Sequence, residues 1–404
     1  MSGTGGCMLS AWDADGHVME SEATFAEPYW DMLPAERRPF VVESDRTGTL
    51  SWVIDGRLFP VRTGPNQSAG NPLSKGGVPW RAPDSSLMAE RREHDTVESA
   101  ELRSAEVRLD QMDRESIDVQ INYPTMFLSY PITYDPALGT ALTRSYNNWI
   151  ADVSGQAPDR LKWVTVIDPQ DPKAAAGEVY RTAEMGSVGV MILGMTGDIR
   201  VDDPELEGVW AAAAETRLPV GVHVGHSFKA LGQVADTHHD KTVMPFWLTL
   251  MFGFQRVIAK GIADRYPNLR IAFLEGGCSW VPGLVDRIAE HCGLPGSRAG
   301  SSFRTGYLAE HYPQEYIERG QIYFGFEVEE GVLPYVLQEF GDECWLYASD
   351  IPHRDRLYDA VRILQERPGI GEESKRKLLI DNAARFYGLG TETRRPLGGH
   401  QAAP

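Results

Sequence analysis

From about residue 110 onward, short runs rich in β-branched and apolar residues alternate with longer segments whose apolar positions recur at helical spacing. That is the pattern of parallel strands each followed by a covering helix. The runs are IDVQINY (117–123), LKWVTVI (161–167), SVGVMIL (187–193), LPVGVHV (218–224), LRIAFLE (269–275), QIYFGFE (321–327) and CWLYASD (344–350). MLSAWDAD (8–15) adds an eighth near the start of the chain. Helices are expected over 136–153, 172–184, 205–216, 244–265, 279–292, 331–340, 355–366 and 372–387. Eight strands with intervening helices predict an α/β fold, a (β/α)8 TIM barrel. Segment 22–105 is rich in Pro, Gly, Ser and charge and shows neither period until VESAELRSAEVRLDQMDRES (97–116). It reads as a long insertion after the first strand that ends in a helix and serves as a lid or an oligomer contact. Residues 1–390 are expected to form one domain, with 391–404 as a disordered tail.

Composition narrows the function classes. The chain is 42% hydrophobic and 24% charged, which are globular values, and it carries a formal net charge of −18 without a Lys/Arg cluster. That balance argues against a nucleic-acid partner and against an anionic membrane surface. The longest near-apolar run, MPFWLTLMFGF (244–254), falls short of the roughly 18 residues that span a bilayer. Cys7, Cys278, Cys292 and Cys344 are scattered, with no C-x-x-C pair, so a reducing cytoplasm is the simplest setting. Exposed helical faces allow a homodimer. A net negative chain can still take an anionic small molecule if a few arginines line the mouth, and Arg91, Arg92 and Arg354 are the candidates; solvated surface arginines are their plain alternative.

The barrel hypothesis puts an active site at the C-terminal ends of the strands, and those ends carry the charge. In WDADGHVME, strand alternation puts Asp13, Asp15 and His17 on one face. The fifth strand ends in His223, with His226 a step beyond; the sixth ends in Glu275; the eighth ends in Asp350, followed by His353. Imidazoles and carboxylates converging on one mouth are the ligands a divalent transition metal needs. Taken singly, each has a bland reading, such as a satisfied strand-end His or an N-cap Asp. Coincidence across four strands is harder to explain. Glu275 closes an apolar strand, where a carboxylate must be paired, solvated or metal-bound to offset its desolvation.

The set DADGHVME, VHVGH, FLEGGCSWVP, YASDIPH and DNAARFYGL resembles the amidohydrolase-2 branch of the amidohydrolase superfamily, over nearly the whole chain except 40–105 and the tail. The resemblance implies a metal-dependent barrel whose ligands map onto Asp15, His17, His223 and Asp350. It also exposes departures. Asp15 stands where the usual H-x-H pair begins with His, and Glu275 stands where the decarboxylases of this branch carry a catalytic His. The fourth strand, VGVMILG, offers no Lys for a carbamylated bridge.

Two enzyme readings follow. In the first, the chain is similar to the TIM-barrel non-heme diiron monooxygenases, a group resembling the diterpenoid hydroxylase of platensimycin and platencin biosynthesis. Two Fe ions would be held by Asp15, His17, His223, Glu275 and Asp350, with His94 or a His of the 226–239 loop completing the second, and Asp13 or Glu20 supporting. O2, an electron donor and a bulky lipophilic substrate, terpenoid or CoA-linked, are then implied, and Trp80, Trp247, Phe252, Phe254 and Trp280 are candidate cover for it. Helix-to-barrel packing is the alternative reading of those aromatics. In the second, one Zn or Mn ion serves a hydrolase or non-oxidative decarboxylase, with Asp350 as general base and His226 or His353 as the proton donor. A non-catalytic binding barrel would leave the metal-type residues without a purpose.

Overall fold

The computed structural model describes residues 9–45, 50–59, 96–129, 131–235, 237–353 and 356–390. Its strands, in chain order, are β1 (Ala11–Val18), β2 (Phe40–Glu43), β3 (Leu50–Ile54), β4 (Arg57–Phe59), β5 (Ile117–Pro124), β6 (Leu161–Val166), β7 (Gly189–Leu193), β8 (Met195–Thr196), β9 (Ile199–Arg200), β10 (Val220–His223), β11 (Ile271–Leu274), β12 (Ile322–Phe326) and β13 (Trp345–Tyr347). Eight of them form one parallel sheet in the order β1-β5-β6-β7-β10-β11-β12-β13. The ends of that sheet meet through backbone bonds, His17 N–H to Ile351 O at 2.6 Å and Asp350 N–H to Asp15 O at 3.4 Å. A closed, helix-covered parallel sheet buries both strand faces, which is why these strands read as unbroken apolar runs. Every residue of β7, β10, β11 and β12 is buried.

The covering helices begin where local chemistry starts them. Asp135 accepts from the amides of Ala137 and Leu138 ahead of Pro136, opening Pro136–Ser154, and Asp171 caps Pro172–Glu184 in the same way. The expected helix over 244–265 is segmented: a π turn, Thr242–Phe246, contains Pro245, the regular helix runs Trp247–Ala259, and Gly261 at φ 67° precedes a last turn, Ile262–Arg265. By length and composition, His239–Ala259 is apolar enough to cross a membrane. Here it is a barrel helix, with Leu250, Phe254, Val257 and Ile258 packed into the core.

Two expectations about the insertion need correction. Part of the stretch that looked aperiodic is an antiparallel sheet, β2-β3-β4, in which Val41 pairs with Trp52 and Trp52 with Phe59. Its strands are only three to five residues long, too short to show a period by sequence pattern. The helix expected over 97–116 is two, Val97–Ala100 and Ala105–Arg114, because Leu102 turns into the left-handed region at φ 45°. The helix Pro313–Glu318, between β11 and β12, was not expected. The 391–404 tail and residues 60–95 lie outside the described residues.

Candidate metal centre

The strand ends do converge. Asp15, His17, His223 and Glu275 each offer a ligand atom within 4.8 Å of the others, and a second group, His17, Glu275, Asp350 and His353, overlaps the first. Asp15, His17 and His223 lie deep, with side chains 0–2% exposed, while Glu275 and Asp350 form the rim at 16% and 19%. Glu275 Oε2 is 3.2 Å from His17 Nε2 and 3.3 Å from His223 Nε2. Asp15 Oδ1 stands 3.5 Å from His17 Nε2 and 3.3 Å from His223 Nε2.

The imidazoles are aimed by the backbone. His17 Nδ1 is 3.0 Å from the Pro124 carbonyl and His223 Nδ1 is 2.9 Å from the Val224 carbonyl. A carbonyl only accepts, so in each ring Nδ1 carries a proton and Nε2 is the nitrogen turned to the centre. Burial, then the neighbouring His353 and His223, hold the His17 pKa well below its ordinary value, which keeps it a neutral ligand.

The floor and flanks of the site are built from groups with structural partners. Tyr123, beneath the two imidazoles, shares a 2.8 Å hydrogen bond with Tyr387, whose hydroxyl reaches the Ala14 carbonyl. Gly221 leaves room for it, since a Cβ there would come within 2.6 Å of the Tyr123 oxygen. Asp13 is no ligand. It belongs to neither ligand group among the described residues, and it accepts from Gln120 Nε2, from the amide and hydroxyl of Ser349 and from the Asp15 amide, where the register of β1 shifts between Asp13 and Gly16. Burial pushes its pKa up to about 6 against those hydrogen bonds. Glu20 likewise accepts from the amides of Thr125 and Met126, with its pKa raised to about 7 chiefly by burial. Arg108 is fully buried and ties the His17 carbonyl to Gln120 and Asn122.

A cation fits this arrangement. Among the described residues Asp15 Oδ2 and His17 Nε2 are buried without a hydrogen-bond partner, a costly state unless an ion takes up their lone pairs. Glu327, at the end of β12, has a pKa raised to about 8, first by burial and then by Asp350, Glu329, Glu330 and Asp15. So many carboxylates converging on the two imidazoles is a charge pattern that a dication relieves.

The other predicted site residues fare differently. His353 joins the rim, its Nδ1 bonded to Asp350 and its Nε2 3.0 Å from Thr125 Oγ1. His226 stacks on Phe246 at 4.7 Å and belongs to neither ligand group among the described residues. Trp280, expected against substrate, is instead 4% exposed and packed edge-on to Phe254 of the helix Trp247–Ala259 and Phe324 of β12, the helix-to-barrel packing of the alternative reading. Arg91, His94 and Arg354, with Trp80 and Arg92, lie outside the described residues. Sequence reasoning missed Glu327, although it ends a predicted strand, and also Glu330, Arg108 and the Tyr123–Tyr387 floor. On the β6–β7 side of the mouth the strand ends are apolar, and Phe127, Val166, Met191, Leu193 and Thr196 line a narrow cleft.

Fold and site together define a metal-dependent (β/α)8 barrel of the amidohydrolase type. The amidohydrolase family pattern matches residues 13–389, and the chain belongs to that family. It is 25% identical over 300 residues to the 2-amino-3-carboxymuconate-6-semialdehyde decarboxylase of Dictyostelium discoideum, covering 70% of this chain and 76% of the relative. To the gamma-resorcylate decarboxylase of Rhodococcus jostii it is 24% identical over 320 residues, 73% and 91% of the two chains. Among solved structures, an amidohydrolase from Mycobacterium avium subsp. paratuberculosis superposes with a TM-score of 0.75 at 20% identity, over 96% of this chain and all of the other. The manganese-bound 5-carboxyvanillate decarboxylase of Novosphingobium aromaticivorans gives 0.63 at 22% identity, over 76% and 86%.

Proposed function

We propose that the chain is a divalent-metal lyase that removes carbon dioxide from a small unsaturated or aromatic carboxylic acid, without oxidation. The observation that carries this reading is the pair of carbonyl-locked imidazoles facing Asp15, Glu275 and Asp350 at the open end of the barrel. The named relatives, which are decarboxylases, support it, as does the manganese bound in the carboxyvanillate enzyme. It replaces the oxygenase as the leading reading.

Asp15, His17, His223 and Asp350 would hold the ion, with Glu275 completing the set. A bound divalent ion supplies Lewis-acid grip on the substrate's carboxylate and on electron density developing beside it. Val166 and Leu193, at the apolar ends of β6 and β7, would help wall the substrate's ring or chain off from water. As the carbon–carboxylate bond breaks, its electron pair stays on the substrate carbon and carbon dioxide leaves. His353, held at the rim between Asp350 and Thr125, is placed to return a proton to that carbon and to recover one from solvent. Glu275 replaces the His expected of such lyases in this branch, so the proton route here runs along the β13 side of the mouth.

A second reading keeps two iron ions and O2 activation. It is favoured by the second ligand group, which adds Asp350 and His353 to the shared His17 and Glu275. One experiment separates the two: manganese- and iron-loaded protein is offered hydroxylated benzoates and unsaturated acids while carbon dioxide release and oxygen uptake are followed together. Carbon dioxide release with no oxygen uptake supports the lyase. Oxygen uptake that depends on iron and a reductant would overturn it.

A further inference from the structure

The turn that carries Glu275 is gripped from both sides. Glu330, on the loop after β12, accepts from the Cys278 amide at 2.7 and 2.9 Å, from the Ser279 amide at 3.0 Å and from the Glu327 amide at 3.0 Å. Opposite it, the Trp247 indole donates to the Gly276 carbonyl at 2.9 Å. The Glu330 loop is itself anchored, because the Arg367 guanidinium donates to the carbonyls of Val328 and Glu330. Gly277, at φ 64°, has no room for a side chain: a Cβ there would come within 2.8 Å of Glu330 Oε1.

Between these grips Glu275 holds φ 59°, a left-handed conformation that costs a non-glycine residue about 1–2 kcal/mol. Such a conformation persists only where the surroundings over-determine it. The Glu330 carboxylate spends itself on the backbone amides of Cys278, Ser279 and Glu327 and on the Cys278 thiol, and among the described residues it belongs to neither ligand group of the mouth.

We infer that Glu330 is a positioning residue for the metal centre: its carboxylate pins the amides after Gly277 and thereby keeps the Glu275 carboxylate on His17 and His223. The inference rests on reading the cluster as a metal site. Without the clamp the amides of Cys278 and Ser279 turn to water, Glu275 relaxes towards a right-handed backbone, and its carboxylate leaves the centre. A purely structural Glu330 would hold the turn ahead of the helix Val281–His291 and affect stability alone.

The test is a titration of metal-free protein with Co2+, following the visible absorption that reports the ligand set, in wild type and in Glu275→Gln, Glu330→Ala and Glu330→Gln, with thermal unfolding recorded beside it. Glu330→Ala is expected to reproduce the spectral change of Glu275→Gln and to weaken Co2+ binding by about 10–100-fold. Glu330→Gln, which keeps one of the two acceptor oxygens, is expected to fall between Glu330→Ala and wild type. A folded Glu330→Ala protein with the wild-type spectrum and affinity, merely less heat-stable, would overturn the inference. If Glu330→Ala does not fold, Glu330→Gln decides: a spectrum displaced toward Glu275→Gln supports the clamp and a wild-type spectrum overturns it. A wild-type protein that binds no Co2+ would instead overturn the metal reading, and the clamp's purpose with it.

Discussion

The imidazole arm and the carboxylate arm of the metal mouth are aimed by different means. His17 and His223 project from β1 and β10 with ordinary strand backbone, and each ring is fixed through Nδ1 by one carbonyl of its own neighbourhood. Glu275 and Asp350 stand just past β11 and β13 in left-handed backbone, at φ 59° and 54°. Each is held by a carboxylate from elsewhere in the fold: Glu330 grips the turn after Glu275, and Asp13 grips Ser349, the residue before Asp350. The imidazoles are as rigid as the sheet. The carboxylates hold their places only while their clamps do, so the rim is where metal affinity and geometry can be tuned without rebuilding the barrel.

That contrast can be broken most severely at the imidazole arm. His17→Ala removes a lone pair shared by both ligand groups, and metal affinity measured by calorimetry should fall by more than about 100-fold, beyond the usual cost of losing a supporting partner. Asp13→Ala attacks the other arm indirectly. It strands the Ser349 amide, the Ser349 hydroxyl and the Gln120 amide in a buried place. Chemical denaturation should show a loss of at least about 2 kcal/mol, accompanied by weaker metal binding. Gly277→Ala forces a side chain against Glu330 in left-handed backbone, and should cost about 1–2 kcal/mol in the same assay. Trp280→Phe is the control. Among the described residues the Trp280 indole N–H has no hydrogen-bond partner, and the ring packs against Phe254 and Phe324, so stability should change by less than about 1.5 kcal/mol and metal binding should not change.

The ligand positions of both arms were legible in the sequence and the clamps were not, for a physical reason. Asp15, His17, His223, Glu275 and Asp350 terminate runs whose apolar pattern marks them as barrel strands, and strand ends in this fold point at one mouth. Spacing alone therefore brought them together. Asp13 kept the alternation of Asp15 and His17 on paper, yet its carboxylate is taken up by Gln120 and Ser349 where the register of β1 shifts, and no local pattern announces such a shift. Glu330, Arg108 and Tyr387 act across 52, 91 and 373 residues of chain, on Cys278, His17 and Ala14, and those contacts exist only once the barrel has closed. Trp280 misled because an aromatic beside a strand-end Glu looks the same in sequence whether its ring faces the mouth or the core. The β2-β3-β4 sheet escaped notice because strands of three to five residues carry too few alternations.

The most direct test of the account is metal content per chain by elemental analysis, on wild type and His17→Ala prepared side by side with manganese and with iron. The account predicts one divalent ion per wild-type chain and its loss in His17→Ala. Metal retained at the wild-type level in a folded His17→Ala protein would contradict it.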